Sequence, residues 1–281
     1  MYLGYRMKNS NQTNTVKPSD KSKIEHRKTL IKVQSIEQSF KVGEETIDVL
    51  HESSFSIQEK TFNIIYGPSG SGKSTLLNVL SALQPPTKGR VEVAGFDIYK
   101  YKPEQLAYFR GSQIGVVYQS NYWVSSLNVI ENVALPLYFL GHKKTEAHRK
   151  AMDALQRIDM APFSKKNPLL LSGGEQQRIA MARAIVTDPM LIIADEPTGS
   201  LDTKNGDMIM ALLQSYNRDL KRTVVLVTHN MEYLPLADKL IRINDGQCIE
   251  MNNEDVGDTT KELIKDMTTR IDKLAESKKN G

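Results

Sequence analysis

The sequence has almost no cysteine and no long apolar segment. Cys248 is the one cysteine among 281 residues, so an intramolecular disulfide is excluded, as is typical of a reducing compartment. The longest apolar candidate, residues 133–140, is interrupted by Pro136 and is far shorter than the roughly 18 apolar residues that cross a bilayer. The first ten residues lack the continuous apolar stretch of a secretory signal. We expect Cys248 to be a small buried residue in a late strand.

An excess of charge is also absent from most of the chain. The formal net charge is +4, and it comes largely from residues 1–28, where seven basic residues face two acidic ones. This composition predicts a disordered basic tail, although such a tail can also contact anionic lipid or nucleic acid. The remainder is near neutral and gives no indication of a nucleic-acid-binding body.

Apolar patterning predicts strands in both halves of the chain. Short apolar runs typical of buried strands occur at residues 62–66, 191–194 and 224–227. Looser strand-like patterning begins near Leu30. The first of the short runs ends at a glycine-rich turn, after which helical spacing of leucines and valines begins.

A helical segment separates the two strand-rich halves. Between about 120 and 187 the apolar spacing is mostly helical, most clearly over 147–158 and 174–186. We therefore predict one ordered domain over residues 29–250 with an inserted helical subdomain at about 120–187. Residues 251–281 are polar, and their apolar spacing predicts a tail that can form a marginal helix.

The glycine-rich turn has the spacing of a phosphate-binding loop, Gly-x-x-x-x-Gly-Lys-Ser. It reads Gly67, Pro68, Ser69, Gly70, Ser71, Gly72, Lys73, Ser74. Glycines let successive backbone N–H groups curl around phosphate oxygens, and the helix that follows adds its positive N-terminal end. Lys73 can reach the β- and γ-phosphates, and the Ser74 hydroxyl can bind Mg²⁺.

Two carboxylates follow the apolar run at 191–194. Asp195 at a strand tip beside the phosphate loop can bind Mg²⁺, directly or through water. Glu196 can then polarise an attacking water. The pair is a weak signal alone, because many strands end in solvated acids, and a strong one together with the loop.

Residues 171–178, Leu-Ser-Gly-Gly-Glu-Gln-Gln-Arg, form a second helix start suited to anions. Ser172, Gly173 and Gly174 offer a hydroxyl and free backbone N–H groups at a helix N-terminus. Two such starts beside one Mg²⁺ site suggest that the second serves the nucleotide of another subunit. Taken alone, the motif would be an ordinary N-cap followed by glycines.

The ordered set of motifs resembles the ABC ATPase family over about residues 30–250. Its elements are the phosphate loop at 67–74, Gln119, the signature at 171–177, Asp195-Glu196, Gly199-Ser200-Leu201-Asp202 and Thr228-His229. Residues 109–119, 131–137 and 194–199, with Glu175, resemble the subgroup for lipoprotein release, macrolide or peptide export, and cell division. Two features depart from it: Phe40 stands where the family usually has tyrosine, and residues 121–125 are unlike the subgroup's usual loop.

The resemblance implies an α/β fold: a RecA-like P-loop NTPase core with an antiparallel β layer and an inserted helical subdomain. It also implies roles for single residues in binding ATP and Mg²⁺. Phe40 would stack on adenine, and Gly67 to Thr75 would hold the phosphates. Ser74, Gln119 and Asp195 would bind the metal.

The catalytic and dimer-forming roles come from the same resemblance. Lys73 and Glu196 would act in hydrolysis, Gln119 would sense the γ-phosphate, and His229 would contact it and orient the water. The signature residues Ser172, Gly173, Gly174 and Glu175 would complete the site of a second copy, and Asp202 would organise the seam between the copies.

The implied function is an ATP-hydrolysing motor subunit of a bacterial ABC transporter or mechanotransmitting complex. It would be a cytoplasmic homodimer on the inner face of the inner membrane, would drive a separate integral membrane permease subunit in export or extraction, and would bind no nucleic acid. A cell-division regulator without cargo and a soluble ABC ATPase of translation or repair stay open, although a single phosphate loop disfavours the latter. Trp123, the one tryptophan, is either a docking residue for the membrane partner or a core residue.

Overall fold

The computed structural model describes residues 27–251, so the predicted tails at 1–26 and 252–281 lie outside the described residues. Within this part the chain forms two β-sheets and six α-helices. No helix in residues 27–251 is long and apolar enough to span a membrane.

The larger sheet has six strands in the order β10-β9-β3-β8-β7-β6. Its strands are β3 (Phe62–Tyr66), β6 (Ile114–Val117), β7 (Leu191–Asp195), β8 (Thr223–Thr228), β9 (Lys239–Asn244) and β10 (Gln247–Met251). Five run parallel, while β10 pairs antiparallel with β9 at the edge. The five residues of β3 are all buried, as is usual for a central parallel strand covered on both faces.

The smaller sheet is antiparallel and has the order β2-β1-β4-β5. Its strands are β1 (Thr29–Val42), β2 (Glu45–Gln58), β4 (Lys88–Val93) and β5 (Phe96–Asp97). Ile31, Val33 and Ile36 are buried in β1 while Lys32 and Ser35 are exposed, so one face covers the core and the other meets solvent. The spacing of three between Val33 and Ile36 coincides with a register shift in the pairing with β2. The outer part of β2 is solvent-exposed up to Asp48.

Six helices complete the architecture. They are α1 (Lys73–Leu80), α2 (Pro103–Gln113), α3 (Val129–Phe139), α4 (Lys144–Arg157), α5 (Gly173–Ile185) and α6 (Thr203–Arg218). Short 3₁₀ turns lie at Ile98–Lys100, Ala161–Phe163, Pro168–Leu170 and Met231–Leu236. Helices α3 to α5 occur between β6 and β7, in the segment where helical spacing was predicted.

The buried side chains form two apolar clusters, one on each side of the larger sheet. Strand β3 contributes to both, because Ile64 packs among the residues of α3 to α6 while Ile65 packs among those of β1 and α1. This alternation follows from the period of two along a strand. The strand ends and the loops that follow them are thereby fixed between two packed layers.

The predicted fold class is confirmed: a parallel nucleotide-binding-type core, a flanking antiparallel sheet and an inserted helical segment are all present. The run at 62–66 forms β3 with those bounds, and Cys248 is buried in β10 as predicted. Helices α2 and α6 and strands β4 and β5 were not predicted.

Candidate functional site

The phosphate loop connects the end of β3 to the start of α1. Glycine is required at its first position, because a Cβ on Gly67 would overlap the backbone of Ile243 in the neighbouring strand β9. Gly70 and Gly72 have φ values of 79° and 99°, which L side chains rarely adopt. The exposed face of the loop carries Pro68, Ser69 and Gly70, so its backbone curve is accessible to a ligand.

The amine of Lys73 points across the mouth of this loop. Its Nζ donates hydrogen bonds to the carbonyl oxygens of Gly67 at 2.9 Å and Pro68 at 2.7 Å. Ser74 is exposed one residue further along α1, while Ser71 is buried and its Oγ has no hydrogen-bond partner. The loop therefore presents a positive amine, a hydroxyl and an accessible, curved stretch of backbone on one side, which suits a polyphosphate.

Asp195 is the last residue of β7, and Glu196 follows it. Strand β7 is separated from β3, which leads into the phosphate loop, only by β8. Burial raises the pKa of Asp195, the negative charge of Glu196 raises it further, and the positive charge of Lys73 lowers it. The effect of the Lys73 charge shows that Asp195 lies within electrostatic reach of the phosphate loop. A cation bound there would favour the ionised carboxylate.

Glu196 is held by two side chains from the end of β8. Its Oε2 accepts a hydrogen bond from the Thr228 hydroxyl at 3.2 Å, and its Oε1 lies 2.7 Å from Nδ1 of His229. The Glu196 backbone has a φ of 44°, unusual for a residue with a side chain, and its N–H donates to Val227 O. The side chain of Glu196 is 12% exposed and that of His229 is 66% exposed, so the carboxylate is largely buried while the imidazole is accessible to solvent.

Gln119 lies just beyond β6 on the same edge of the sheet. It is exposed, and its Nε2 would be 3.2 Å from a Cβ placed on Gly199, in the loop that follows Glu196. The side chain of Gln119 thus reaches towards the carboxylates from the neighbouring strand. Gly199 leaves room for it.

Phe40 lies on the antiparallel sheet rather than on the parallel one. It is half-buried in β1 and pairs with Ile47 in β2. The same β2 strand approaches the phosphate loop, because a Cβ on Gly72 would lie 2.9 Å from Leu50 Cδ2 and 3.0 Å from Val49 O. Phe40 is therefore an aromatic ring on the hairpin that flanks the loop.

The signature motif forms the first turn of α5. Ser172 is the N-cap, with its Oγ accepting from the Glu175 backbone N–H at 3.4 Å. In return, Glu175 Oε2 accepts from Ser172 N at 2.8 Å and from Ser172 Oγ at 2.7 Å. These hydrogen bonds hold the pKa of Glu175 below its usual value. Ser172 and Gly173 are exposed, so the anion-binding end of α5 faces outwards.

Asp202 caps α6, beside the signature. Its Oδ1 accepts from the Asn205 backbone N–H at 2.8 Å and its Oδ2 accepts from the Asn205 side-chain amide at 2.9 Å. The same hydrogen bonds lower the pKa of Asp202. Asn205 also packs directly over Gly174, where a Cβ would lie 2.5 Å from Asn205 Cγ. The loop containing Asp202 is thereby joined to the signature of its own chain.

Alanine substitution should affect the stability differently at the two glycines of the signature. Gly174→Ala forces Asn205 away from its bonds to Asp202, and we expect about 1–3 kcal/mol lower stability from this overpacking. A Cβ on Gly173 meets only Leu201 Cδ2 at 3.7 Å, so Gly173→Ala should leave the stability unchanged within about 0.5 kcal/mol. Denaturant unfolding of both variants checks the difference. Equal stability losses would show that Asn205 does not constrain Gly174.

The structure brings the sequence-predicted residues into two groups. Lys73, Ser74, Gln119, Asp195, Glu196 and His229 follow strand ends on one edge of the parallel sheet, with Phe40 on the flanking hairpin. Ser172 to Glu175 and Asp202 form the second group, at the starts of α5 and α6. Sequence patterns assigned no role to Thr228, which bonds Glu196 32 positions away, or to Asn205, which bonds Asp202 and packs over Gly174.

The donor set suits Mg²⁺ bound together with phosphates. Residues 27–251 hold no group of three or more His, Cys, Asp or Glu side chains able to bind a metal alone. Mg²⁺ commonly takes one or two protein oxygens and completes its shell with water and substrate phosphates. Asp195 and the exposed hydroxyl of Ser74 supply such oxygens next to the phosphate loop.

The sequence of this chain is similar to those of known proteins. The sequence profile of a family described as "ABC transporter" matches residues 50–199. The chain is 40% identical over 220 residues to the ABC transporter ATP-binding protein YknY of Bacillus subtilis, covering 78% of this chain and 95% of that protein. It is 37% identical over 220 residues to the lipoprotein-releasing system ATP-binding protein LolD 1 of Rhodopseudomonas palustris, covering 78% and 97% respectively.

A solved structure agrees with the fold as well as the sequence. The dimeric post-hydrolysis state of the ATP-binding cassette MJ0796, bound to ADP and Pi, superposes with a TM-score of 0.74 at 36% identity. The match covers 79% of this chain and 98% of that one. MJ0796 comes from Methanocaldococcus jannaschii.

Proposed function

Because the chain belongs to the ABC transporter family of ATP-binding proteins and is an ATPase, we propose that it is the motor subunit that drives a membrane permease in export or extraction. The observation that carries the catalytic part is the Glu196–His229 pair, 2.7 Å apart and next to the phosphate loop. This pair would put a proton acceptor near the terminal phosphate of a bound nucleotide.

ATP would be held mainly by the phosphate loop. Lys73 would exchange its two carbonyl partners, Gly67 and Pro68, for the β- and γ-phosphate oxygens. The half-buried ring of Phe40 would lie against the adenine, since any aromatic face can stack on a base. Ser74, Asp195 and Gln119 are the residues that would hold Mg²⁺, which neutralises charge on the phosphates when it is bound.

Hydrolysis would proceed by attack of water on the γ-phosphorus. Glu196 accepts the water's proton, the bond to the β-phosphate oxygen breaks, and ADP and inorganic phosphate result. Thr228 and His229 fix the carboxylate from two sides, and the exposed His229 can contact the γ-phosphate. Gln119, on the opposite side near Gly199, would orient the water or the metal.

The signature would serve the nucleotide of a second copy. Ser172 and Gly173 are exposed at the N-terminus of α5, where backbone N–H groups and the helix dipole attract anions. A twofold dimer places each signature against the partner's γ-phosphate, so that ATP binding closes the dimer and hydrolysis releases it. The dimeric structure of MJ0796 supports this arrangement by similarity.

The permease would dock in the cleft between the larger sheet and the helical segment. That cleft is lined by Gly111, Val116, Tyr118, Tyr122, Pro136 and Arg183. Tyr122 is 73% exposed and Trp123 is only partly exposed, so Tyr122 is the better aromatic anchor. A permease bound there would keep the chain on the cytoplasmic face of the membrane. The similarity to LolD 1 favours export or extraction.

The basic test is the ATPase activity of the full chain with Mg²⁺ and with chelator. We expect turnover with Mg²⁺ and a loss of turnover when EDTA removes the metal. Phosphate release measures it. Unchanged turnover in EDTA would refute the assignment of Ser74 and Asp195 to a metal site, and no turnover under either condition would refute the ATPase assignment.

Tyr122→Ala should separate coupling from catalysis. We expect near-normal ATPase activity of the isolated subunit, because Tyr122 is exposed, and a loss of roughly tenfold or more in stimulation by its permease partner. The matched control is Tyr108→Ala, another tyrosine, 63% exposed, that does not line the cleft. Equal stimulation of both variants would move the docking site elsewhere.

A further inference from the structure

Trp123 lies between the segment that follows β6 and helix α5, which begins with the signature. Its indole Nε1–H donates to Gln176 Oε1 at 2.8 Å, and its ring lies 4.6 Å from the guanidinium carbon of Arg183. Gln176 and Arg183 both belong to α5, the helix that the signature starts. The side chain is partly buried against the apolar cluster of the helical segment.

Gln176, which accepts the hydrogen bond from Trp123, is itself bonded to the signature. Gln176 follows Glu175, whose side chain bonds the N-cap Ser172, and the Nε2 of Gln176 donates to the carbonyl of Leu171 at 2.9 Å. Its backbone N–H donates to Ser172 O at 2.9 Å. A force on the Gln176 side chain therefore acts directly on the loop that carries Ser172.

The other end of the connection is tied to Gln119. Gln177 of α5 donates to the carbonyl of Tyr118 at 3.2 Å, one residue before Gln119. Arg183 donates to the carbonyls of Asn121 and Tyr122, and burial lowers its pKa to about 10, so it stays charged near neutral pH. Residues 118–123 are thus fastened to α5 at several points.

The segment joined to α5 in this way includes a strained residue and is also bonded to α3. Tyr122 has a φ of 45°, which a side-chain-bearing residue adopts at a cost. On the far side, Val124 is fixed to α3 because its N–H donates to Asn132 Oδ1 at 3.0 Å and its O accepts from Asn132 Nδ2 at 3.1 Å. Trp123 is therefore held in place from both sides.

We propose that Trp123 is a positioning residue that couples Gln119, at the nucleotide site of its own chain, to the signature that completes the site of the partner copy. In the proposed dimer, Gln119 would contact the γ-phosphate side of one site, and Ser172 would contact the γ-phosphate of the other. The Trp123–Gln176 hydrogen bond transmits the position of the first to the second. This inference rests on the proposed dimeric ATPase function.

The test uses Trp123→Phe in the full-length chain, which keeps an aromatic ring over Arg183 and removes the N–H donor. In a Glu196→Gln background, where ATP persists, the variant should need about two- to tenfold more ATP for half-maximal dimer formation, as expected for one lost hydrogen bond. Affinity for MgADP, which does not require the partner's signature, should stay within twofold. Analytical size-exclusion chromatography and nucleotide titration measure the two quantities.

Two controls separate coupling from general packing. Tyr138→Phe removes the polar group of another aromatic side chain packed on the same apolar cluster and should leave dimer formation unchanged. In the double variant Trp123→Phe with Gln176→Met, the effect should be no larger than that of Gln176→Met alone, because that change already removes the bond to Trp123 together with the bond to Leu171. Additive effects, or a parallel fall in MgADP affinity, would overturn the proposal.

The proposed function and the inference fail in different ways. If the Glu196→Gln chain with Trp123 intact forms no ATP-dependent dimer, the dimeric ATPase function is refuted and the inference with it. If that chain forms the dimer and Trp123→Phe forms it at the same ATP concentration, only the inference is refuted. An increase limited to Trp123→Phe and Gln176→Met supports it.

Discussion

Lys73→Ala should lower both the affinity for MgATP and the turnover by roughly 10²–10³, the range seen when one preorganised donor to a developing charge is removed. Lys73 Nζ lies at the phosphate loop, where it donates to Gly67 O and Pro68 O at 2.9 and 2.7 Å. Alanine leaves those carbonyls to solvent and removes the charge-assisted contact to the β- and γ-phosphates.

The measurements are MgATP titration and steady-state phosphate release by the Lys73→Ala chain. The matched control is Lys88→Ala, which removes the same charge from an exposed ion pair with Glu37 on the antiparallel sheet. Such surface pairs contribute little, so Lys88→Ala should retain wild-type activity. Full activity in a folded Lys73→Ala chain would contradict the assignment of the phosphate loop.

Local sequence patterns were sufficient to predict the pieces of the site. The run at 62–66 is apolar throughout and ends at glycine, and it forms β3 with those bounds. The spacing of Gly67, Gly72 and Lys73 identified the loop, because backbone curvature around a phosphate restricts which residues fit. Asp195 and Glu196 followed from their place at the end of a buried strand.

The arrangement of those pieces could not be predicted from local patterns. Strand β3 pairs with β8 and β9, which lie far away in sequence, and periodicity says nothing about which parallel strands become neighbours. Helix α6 went unpredicted. Its start is nevertheless clear in the structure, where Asp202 caps Thr203–Arg218.

The contacts that fix side chains were the least predictable. Thr228 reaches Glu196 across 32 positions, and Trp123 reaches Gln176 across 53. Neither bond leaves a local trace in composition or spacing. The sequence left Trp123 undecided between docking and core, and the structure gives it features of both, since the ring is partly buried and its N–H is bonded within the chain.

Glu196→Gln should bind ATP normally and hydrolyse it about 10² to 10⁴ times more slowly, the usual contribution of a positioned base. Glutamine is isosteric, so it can retain the backbone φ of 44° and still accept from the Thr228 hydroxyl, which lies 3.2 Å from Oε2 in the native chain. The amide cannot take the water's proton, and the chemistry therefore stops with the γ-phosphate in place.

Persistence of the γ-phosphate should make the Glu196→Gln chain accumulate as an ATP-bound dimer, because Ser172 of each copy stays bound to the partner's nucleotide. Size-exclusion chromatography with MgATP, set against MgADP, measures it. The control is Glu146→Gln, which makes the same change in an exposed carboxylate on α4. Like Glu196, Glu146 pairs with a histidine, because its Oε1 lies 3.2 Å from Nδ1 of His142. That chain should hydrolyse ATP at the native rate. A Glu196→Gln chain that hydrolyses ATP as fast as its Glu146→Gln control would remove Glu196 from the role of base, and a strictly monomeric one would rule out the shared nucleotide sites.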